Sequence, residues 1–314
     1  MRIGIFGAGG VGGYFGARWA AAGHDVTFVA RGAHLAALQK DGLVLHSPRG
    51  DLEIDTFTAV EDIDDAPDLD LVMIAVKLWS TEEAVRALRA RANQGTAIAS
   101  FQNGVTQYDV LRRELPEASL LGGIAFISAT IEAPGVIRHH NALQSLKFGE
   151  FDGRESERVK ALKAACDEAG IEAEICADIE SELWQKFVFL TGLSGATAVM
   201  RQPIGPIREN RQTRSFLYDL MNEVVAVGRA RDIDLPEDFA TDRLAFCDGL
   251  PGDMRASMAY DLANGNRLEL PWLSGAVADY GHKLGIATPR NQAVADILAL
   301  YTDGAPSQRA ESGG

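Results

Sequence analysis

Cysteine is nearly missing from this chain. Cys166, Cys176 and Cys247 are the 3 in 314 residues. They show neither metal-ligand nor redox spacing, and an odd count without a secretory signal argues against a disulfide framework. They are expected to be reduced packing residues, and no metal site is expected. Long apolar runs are also lacking. Hydrophobic residues make up 46% of the chain, yet no stretch approaches the roughly twenty uninterrupted apolar residues of a membrane span. The first strand begins almost at Met1, which leaves no room for a signal peptide, so the cytoplasm is the expected compartment. Positive charge is in deficit as well. With 30 Lys and Arg against 44 Asp and Glu, the formal net charge is −14. That balance disfavours nucleic acid and anionic membrane as partners, and any anionic ligand must be held by a local basic pocket.

Against these absences stands a dense opening stretch. The apolar run Ile3, Ile5, Phe6 suits a buried parallel strand and stops at Gly7. Gly7, Gly9 and Gly12 follow the G-x-G-x-x-G spacing, in Gly7-Ala8-Gly9-Gly10-Val11-Gly12. The first glycine permits a tight turn, the second lets backbone approach a pyrophosphate, and the third lets the helix pack close to the sheet. A helix over Val11 to Ala22 would offer its unpaired N–H groups and positive dipole end to that pyrophosphate. Gly23 stops the helix, and a second strand, Val26 to Val29, completes a βαβ unit. At its end, where NAD-binding versions place an acid, this chain has Ala30-Arg31. An arginine fork suits a 2′-phosphate, so the expected cofactor is NADP(H).

A chain of 314 residues exceeds one ordinary core, so two domains are expected. The remaining pattern gives a helix over Gly32 to Lys40, a hairpin of Leu43 to His46 with Leu52 to Phe57, and a solvated acidic connection over Glu61 to Asp70. Strands Leu71 to Val76 and Thr96 to Phe101 end at Lys77 and Gln102-Asn103-Gly104. Ligands of open α/β sheets lie at carboxyl ends of strands, which makes Lys77 and Asn103 candidate cofactor contacts. Between them Ser80 or Thr81 with Glu83 starts a helix to about Ala92. Strands follow at Leu120 to Ala129, Val136 to His139 and Ser145 to Phe148. Then come a helix over Glu155 to Ala169 and a strand over Ile171 to Cys176. His139 and His140 have no metal partners in sequence.

From about Asp178 the pattern turns helical. Long helices are expected over Glu180 to Met200 and Glu209 to Arg231, with a break at Gln202 to Pro206. Shorter ones follow at Pro236 to Phe246, Met254 to Ala263, Trp272 to Leu284 and Arg290 to Tyr301. The expected architecture is α/β: a Rossmann-type dinucleotide-binding domain at 1–177, an all-α domain at 178–303 and a disordered tail at 304–314. Within the first long helix Lys186 sits among Trp184, Phe187, Val188 and Phe189. It is either a lysine snorkelling to the helix surface or an ammonium whose pKa desolvation has lowered.

These motifs, GAGGVGG, Arg31, VKLWS around Lys77, QNG around Asn103, ELWQKF around Lys186 and ASMAYDLANGNRLE from Ala256 to Glu269, make the chain resemble the 2-dehydropantoate 2-reductase (ketopantoate reductase) family over nearly its full length. The resemblance implies a Rossmann domain and a helical domain with the active site between them. It implies Lys186 as catalytic acid, Glu269 as a polar partner near cofactor and substrate, and Ser257 as a substrate contact. Lys77 and Asn103 would lie on the cofactor side, with Asn103 and Ser194 also near substrate. The implied reaction is NADPH-dependent reduction of a small 2-oxo acid, 2-dehydropantoate to pantoate, a step towards pantothenate.

Four positions depart from the pattern. Leu190, Ser194, Ile204 and Ser274 stand where family members often carry Asn. Lost amides alter discrimination among hydroxyl- and carboxylate-bearing ligands. Reduction of another 2-oxo acid or carbonyl compound therefore stays open, as does a noncatalytic NADP(H)-binding regulator. The sequence also allows a homodimer, because buried and intersubunit helix faces look alike in it.

Overall fold

The computed structural model describes residues 1–305. It separates into two compact units, residues 1–103 with 107–183, and residues 104–106 with 184 onward, so the division falls inside one continuous helix.

The first unit is built on a mixed sheet. Strands β1 (Arg2–Phe6), β2 (Asp25–Val29), β5 (Thr58–Val60), β6 (Leu71–Ile74), β7 (Ala97–Ser100) and β8 (Leu120–Ala133) run parallel in the order β5-β2-β1-β6-β7-β8. This is the doubly-wound order, and its switch point lies between β1 and β6, where ligands of such sheets bind. Both central strands are fully buried along Ile3–Phe6 and Leu71–Ile74, as continuous apolar runs in a covered parallel sheet must be. β5 was not expected; at three residues it is too short to show a periodicity.

Beyond β8 the sheet changes character. β8 and β9 (Val136–Gly149) form a long antiparallel hairpin with register shifts at Ile127/Ala129 and Ile131/Ala133. β9 also pairs β3 (Leu43–His46) and β10 (Glu172–Ile175) in parallel, and β3 pairs β4 (Leu52–Ile54) antiparallel, as the hairpin reading anticipated. The three separate strand readings over 120–148 are thus two long strands, because pairing resumes across an irregularity: Ile127 faces Gln144 and Ala129 faces His139, so residues 140–143 bulge out of the register without ending β9. His139 is a buried strand residue whose Nδ1 lies 2.9 Å from Ser47 Oγ and whose Nε2 lies 2.9 Å from the Leu143 carbonyl. Its burial lowers its pKa.

Helix α1 (Gly10–Ala21) is walled in on both sides. Tyr14, Phe15 and Trp19 are all 0% exposed. Residues Gly12 to Ala17 are buried without a break, so this part of the helix has no solvent face. A Cβ built at Gly16 would lie 2.4 Å from the Phe28 ring on β2, and one at Gly13 would lie 2.8 Å from Ile137 on β9. Sheet and hairpin therefore grip the helix through its missing side chains. Helices α2 (Gly32–Asp41), α3 (Thr81–Asn93), α4 (Thr106–Glu114) and α5 (Glu157–Glu168) complete the set up to residue 168. α4 was not foreseen, since its segment TQYDVLRRE is short and largely polar.

The second unit is helical. α6 (Ile179–Met200) carries the chain into it, followed by α7 (Ile204–Glu209), α8 (Arg211–Arg229), α9 (Phe239–Asp248), α10 (Ser257–Ala263), α11 (Ser274–Leu284) and α12 (Pro289–Leu298). The break after α6 holds, yet α7 begins within it. Pro203 stands before its first turn, and the Ile204 and Gly205 N–H groups donate to the carbonyls of Met254 and Gly252. α8 buries Leu217, Leu220, Met221, Val224 and Val225 on one stripe. Gly304 and Ala305 donate to the carbonyls of Tyr301 and Gly265, and the rest of the tail expected to be disordered lies outside the described residues. All three cysteines are buried and free. No described helix is long and apolar enough to cross a membrane.

One buried carboxylate orders this unit. Glu223 on α8 accepts from the backbone N–H of Arg290 and Asn291 at 2.8 and 2.9 Å and from Asn291 Nδ2 at 2.8 Å, closing the N-terminus of α12. A negative group satisfying orphan donors at a helix start is favourable twice, through the hydrogen bonds and through the dipole. Glu223→Ala is expected to cost about 2 kcal/mol and to lower the thermal midpoint. Glu223→Gln, which keeps an acceptor, should lose less; equal midpoints for Glu223→Ala and the wild type would dismiss the role.

Candidate active site

The glycine turn occupies the carboxyl end of β1. Gly7 has φ +106°, and a Cβ there would meet the Val76 backbone nitrogen at 2.8 Å, so conformation and space both require glycine. At Gly12 a Cβ would fall 2.2 Å from the Gly7 carbonyl oxygen and 2.8 Å from Ile5, which is the close approach of helix to strand. Gly9 differs. It is the N-cap of α1 with φ −74°, and a Cβ there would meet nothing within 4 Å. Neither fold nor backbone demands glycine at that position. The open space over it, beside the unpaired N–H groups of α1, is a cradle that fits a pyrophosphate. Gly10 has a different duty, since a Cβ on it would lie 2.1 Å from the Ala129 carbonyl oxygen at the β8 bulge. Ala8 is buried and Val11 half-buried beside this turn.

The neighbouring strand ends are tied together. Lys77 follows β6, exposed, its Nζ 5.8 Å from the Trp79 ring centroid. Gln102, buried, donates to the Val76 carbonyl at 3.0 Å and to Thr81 Oγ1 at 2.9 Å, linking the carboxyl ends of β6 and β7 to the start of α3. Half-buried Asn103 comes directly after it. The sequence drew attention to Asn103 and passed over Gln102, whose anchoring role has no signature beyond the shared QNG run. His34 was also passed over. Its Nδ1 accepts from the Gly135 N–H at 3.1 Å, so Nε2 carries the proton of the neutral ring, and burial, opposed by the backbone of Ala8, lowers its pKa. The ring thereby joins α2 to the hairpin turn.

Arg31 is the N-cap of α2 at the carboxyl end of β2. Its Nη2 lies 2.5 Å from Glu83 Oε1 on the first turn of α3, and Glu61 and Asp62 also act on its charge. The arginine expected to meet a ribose phosphate already holds a carboxylate.

In the second unit, α6 buries most residues from Ser181 to Ala198. Its part-open stripe is Glu182, Gln185, Lys186, Phe189 and Leu190. Lys186 stands on that stripe among buried Leu183, Trp184 and Phe187. Burial pulls its pKa down to about 8, and the carboxylate of Glu269 opposes the shift. Glu269 is buried and precedes a 3-10 turn, Leu270–Trp272. The structure therefore brings an ammonium of reduced basicity and a buried carboxylate into one electrostatic neighbourhood. Ser257 opens α10, exposed. Ser194 lies on the buried side of α6 with its hydroxyl unpartnered, as does the Ser274 hydroxyl on α11, and Ile204 is 0% exposed. Of the four departures only Leu190 shares the part-open stripe with Lys186, one turn further on. Among the described residues no group of three or more His, Cys, Asp or Glu could hold a metal ion.

A doubly-wound unit with a glycine turn at its switch point, followed by a helical unit carrying a desolvated lysine, defines the class of two-unit, dinucleotide-dependent oxidoreductases. Residues 3–153 match the family profile of ketopantoate reductase PanE/ApbA, and residues 178–302 match that of its C-terminal part, so the chain belongs to the ketopantoate reductase family. An uncharacterized oxidoreductase, YkpB, of Bacillus subtilis (strain 168) is 31% identical over 305 residues, covering 96% of this chain and 99% of its own. The 2-dehydropantoate 2-reductase of Mesorhizobium japonicum is 29% identical over 319 residues, covering 95% and 97%. Among solved structures, a PanE/ApbA family ketopantoate reductase from Ralstonia eutropha JMP134 superposes with a TM-score of 0.86 at 29% identity, covering 96% of this chain and 98% of its own. The family is one of oxidoreductases acting on a CH–OH group.

Proposed function

We propose that this protein reduces 2-dehydropantoate to pantoate with NADPH. The observation that carries the reading is Lys186: an ammonium held in apolar surroundings, its pKa near 8, with Glu269 as its electrostatic counterweight. A bound nicotinamide supplies hydride to the 2-oxo carbon. The chain's residues do the rest. Lys186 attracts the carboxylate of the substrate and stabilises the growing charge on the carbonyl oxygen. It then gives that oxygen its proton, which a lysine of lowered pKa releases readily. Glu269 keeps enough of the lysine protonated near neutral pH to do so. Gly7, Ala8, Gly9, Gly10, Val11 and Gly12 would hold the pyrophosphate, Arg31 the 2′-phosphate, and Lys77 and Asn103 the nicotinamide side. Ser257 would complete the substrate contacts, whereas Ser194, expected from the resemblance to do so, is buried on the other side of α6 and is left out of the reading. Cytoplasmic location and a homodimer belong to the same reading.

A second reading keeps the chemistry and changes the acid. Leu190, one turn from Lys186 on the same stripe, offers an apolar wall where an amide would pair with a polar ligand group. Such a wall accepts a 2-oxo acid with an apolar substituent more readily than one bearing a hydroxyl. NADPH oxidation against a panel of 2-oxo acids separates the readings. Fastest turnover, as kcat/KM, on 2-dehydropantoate supports the first, and fastest turnover on an alkyl 2-oxo acid supports the second. Tight NADPH binding with no turnover of any acid would leave a noncatalytic binding protein.

A further inference from the structure

Arg31 is not waiting alone at the end of β2. Its guanidinium lies 2.5 Å from Glu83, at the N-terminal turn of α3, where the helix dipole favours a carboxylate. The ion pair is partly solvated on both sides, with 60% and 47% of the two side chains exposed, so an incoming ligand can reach and rearrange it. Glu61 and Asp62 add negative charge around the same arginine. A dinucleotide whose adenosine ribose carries a 2′-phosphate therefore meets one cation already engaged and three carboxylates. A ribose with a free 2′-hydroxyl meets something quite different: an acceptor carboxylate, held in position by an arginine.

We propose that Glu83 sets the cofactor preference of this protein, competing with a 2′-phosphate for Arg31 and accepting a hydrogen bond from a 2′-hydroxyl, so that NADH is bound alongside NADPH. The inference rests on the reading that Arg31 faces the adenosine ribose. An acid immediately after the second strand, the position usually inspected for this choice, is missing here. Its function is supplied from the next helix but one, which a sequence scan of the βαβ unit does not reach.

The test is equilibrium binding of NADPH and of NADH, followed by quenching of tryptophan fluorescence, for the wild type, Glu83→Gln, Arg31→Ala and the double variant. Thermal midpoints check that each is folded, and Glu83→Ala serves as a second replacement. Glu83→Gln is expected to tighten NADPH by about 3- to 10-fold and to weaken NADH, the scale of a partly solvated charge pair. In the Arg31→Ala background the gain should vanish, which distinguishes release of the arginine from simple relief of repulsion. An unchanged NADPH to NADH ratio in both Glu83 variants, with a collapsed ratio in Arg31→Ala, overturns the inference and leaves the cofactor reading standing. A ratio unmoved by Arg31→Ala removes the reading and the inference together.

Discussion

Replacing Lys186 by alanine is expected to lower kcat by about 10²- to 10⁴-fold, the range for losing a positioned proton donor that also stabilises the developing oxyanion. The pH profile gives the sharper expectation. Lys186 must be protonated to act as an acid, and burial brings its pKa from the ordinary 10.5 to about 8. The rate, as kcat/KM for the free protein, should therefore be flat below that value and fall as pH rises through about 8. Glu269 opposes the lowering, so Glu269→Gln should move this alkaline limb to lower pH while leaving its shape intact. A limb that stays put in Glu269→Gln, or one near pH 10 in the wild type, would show that the titrating group is not this lysine.

The second large effect concerns two adjacent glycines with opposite reasons for being glycine. At Gly9 an added methyl meets no atom within 4 Å, and the backbone angles suit alanine. Gly9→Ala should leave the thermal midpoint unchanged or slightly raised, because it restricts the unfolded chain. It should nevertheless weaken dinucleotide binding by about 10- to 100-fold, roughly 1.4 to 2.8 kcal/mol, by occupying the cradle. At Gly10 the added methyl would be driven to 2.1 Å from the Ala129 carbonyl. Gly10→Ala should destabilise the first unit by about 1–3 kcal/mol through overpacking. Calorimetric binding and thermal unfolding on the pair check both. Equal binding losses in Gly9→Ala and Gly10→Ala, accompanied by equal loss of stability, would mean that Gly9 has no separate ligand-facing role.

Most of the first βαβ unit was legible because its signals are local: an apolar run, a glycine turn, a helix stop and a second run, all within the first thirty-one residues. The strands Leu71 to Val76 and Thr96 to Phe101 came from the same logic of continuous apolar runs. What escaped was short or held by distant partners. β5 has three residues, α4 is largely polar, and the span of the β8–β9 hairpin depends on cross-strand pairing rather than on alternation. At the site, Lys186 stood out as a lysine in apolar company, and the structure gives that oddity its physical content in a lowered pKa. Gln102 and His34 could not be singled out, and Glu83 was read only as part of a helix start, because each acts through a neighbour far along the chain. Arg31 was legible and its companion was not.

The hairpin clasping α1 has a consequence for the order of assembly. Ala129 and Ile137 are synthesised long after the glycine turn they press against. Contacts between distant stretches close late, since the intervening loop must first surrender its freedom. The glycine corner, although encoded at the very start of the polypeptide, therefore becomes rigid only when a segment from the middle arrives to lock it.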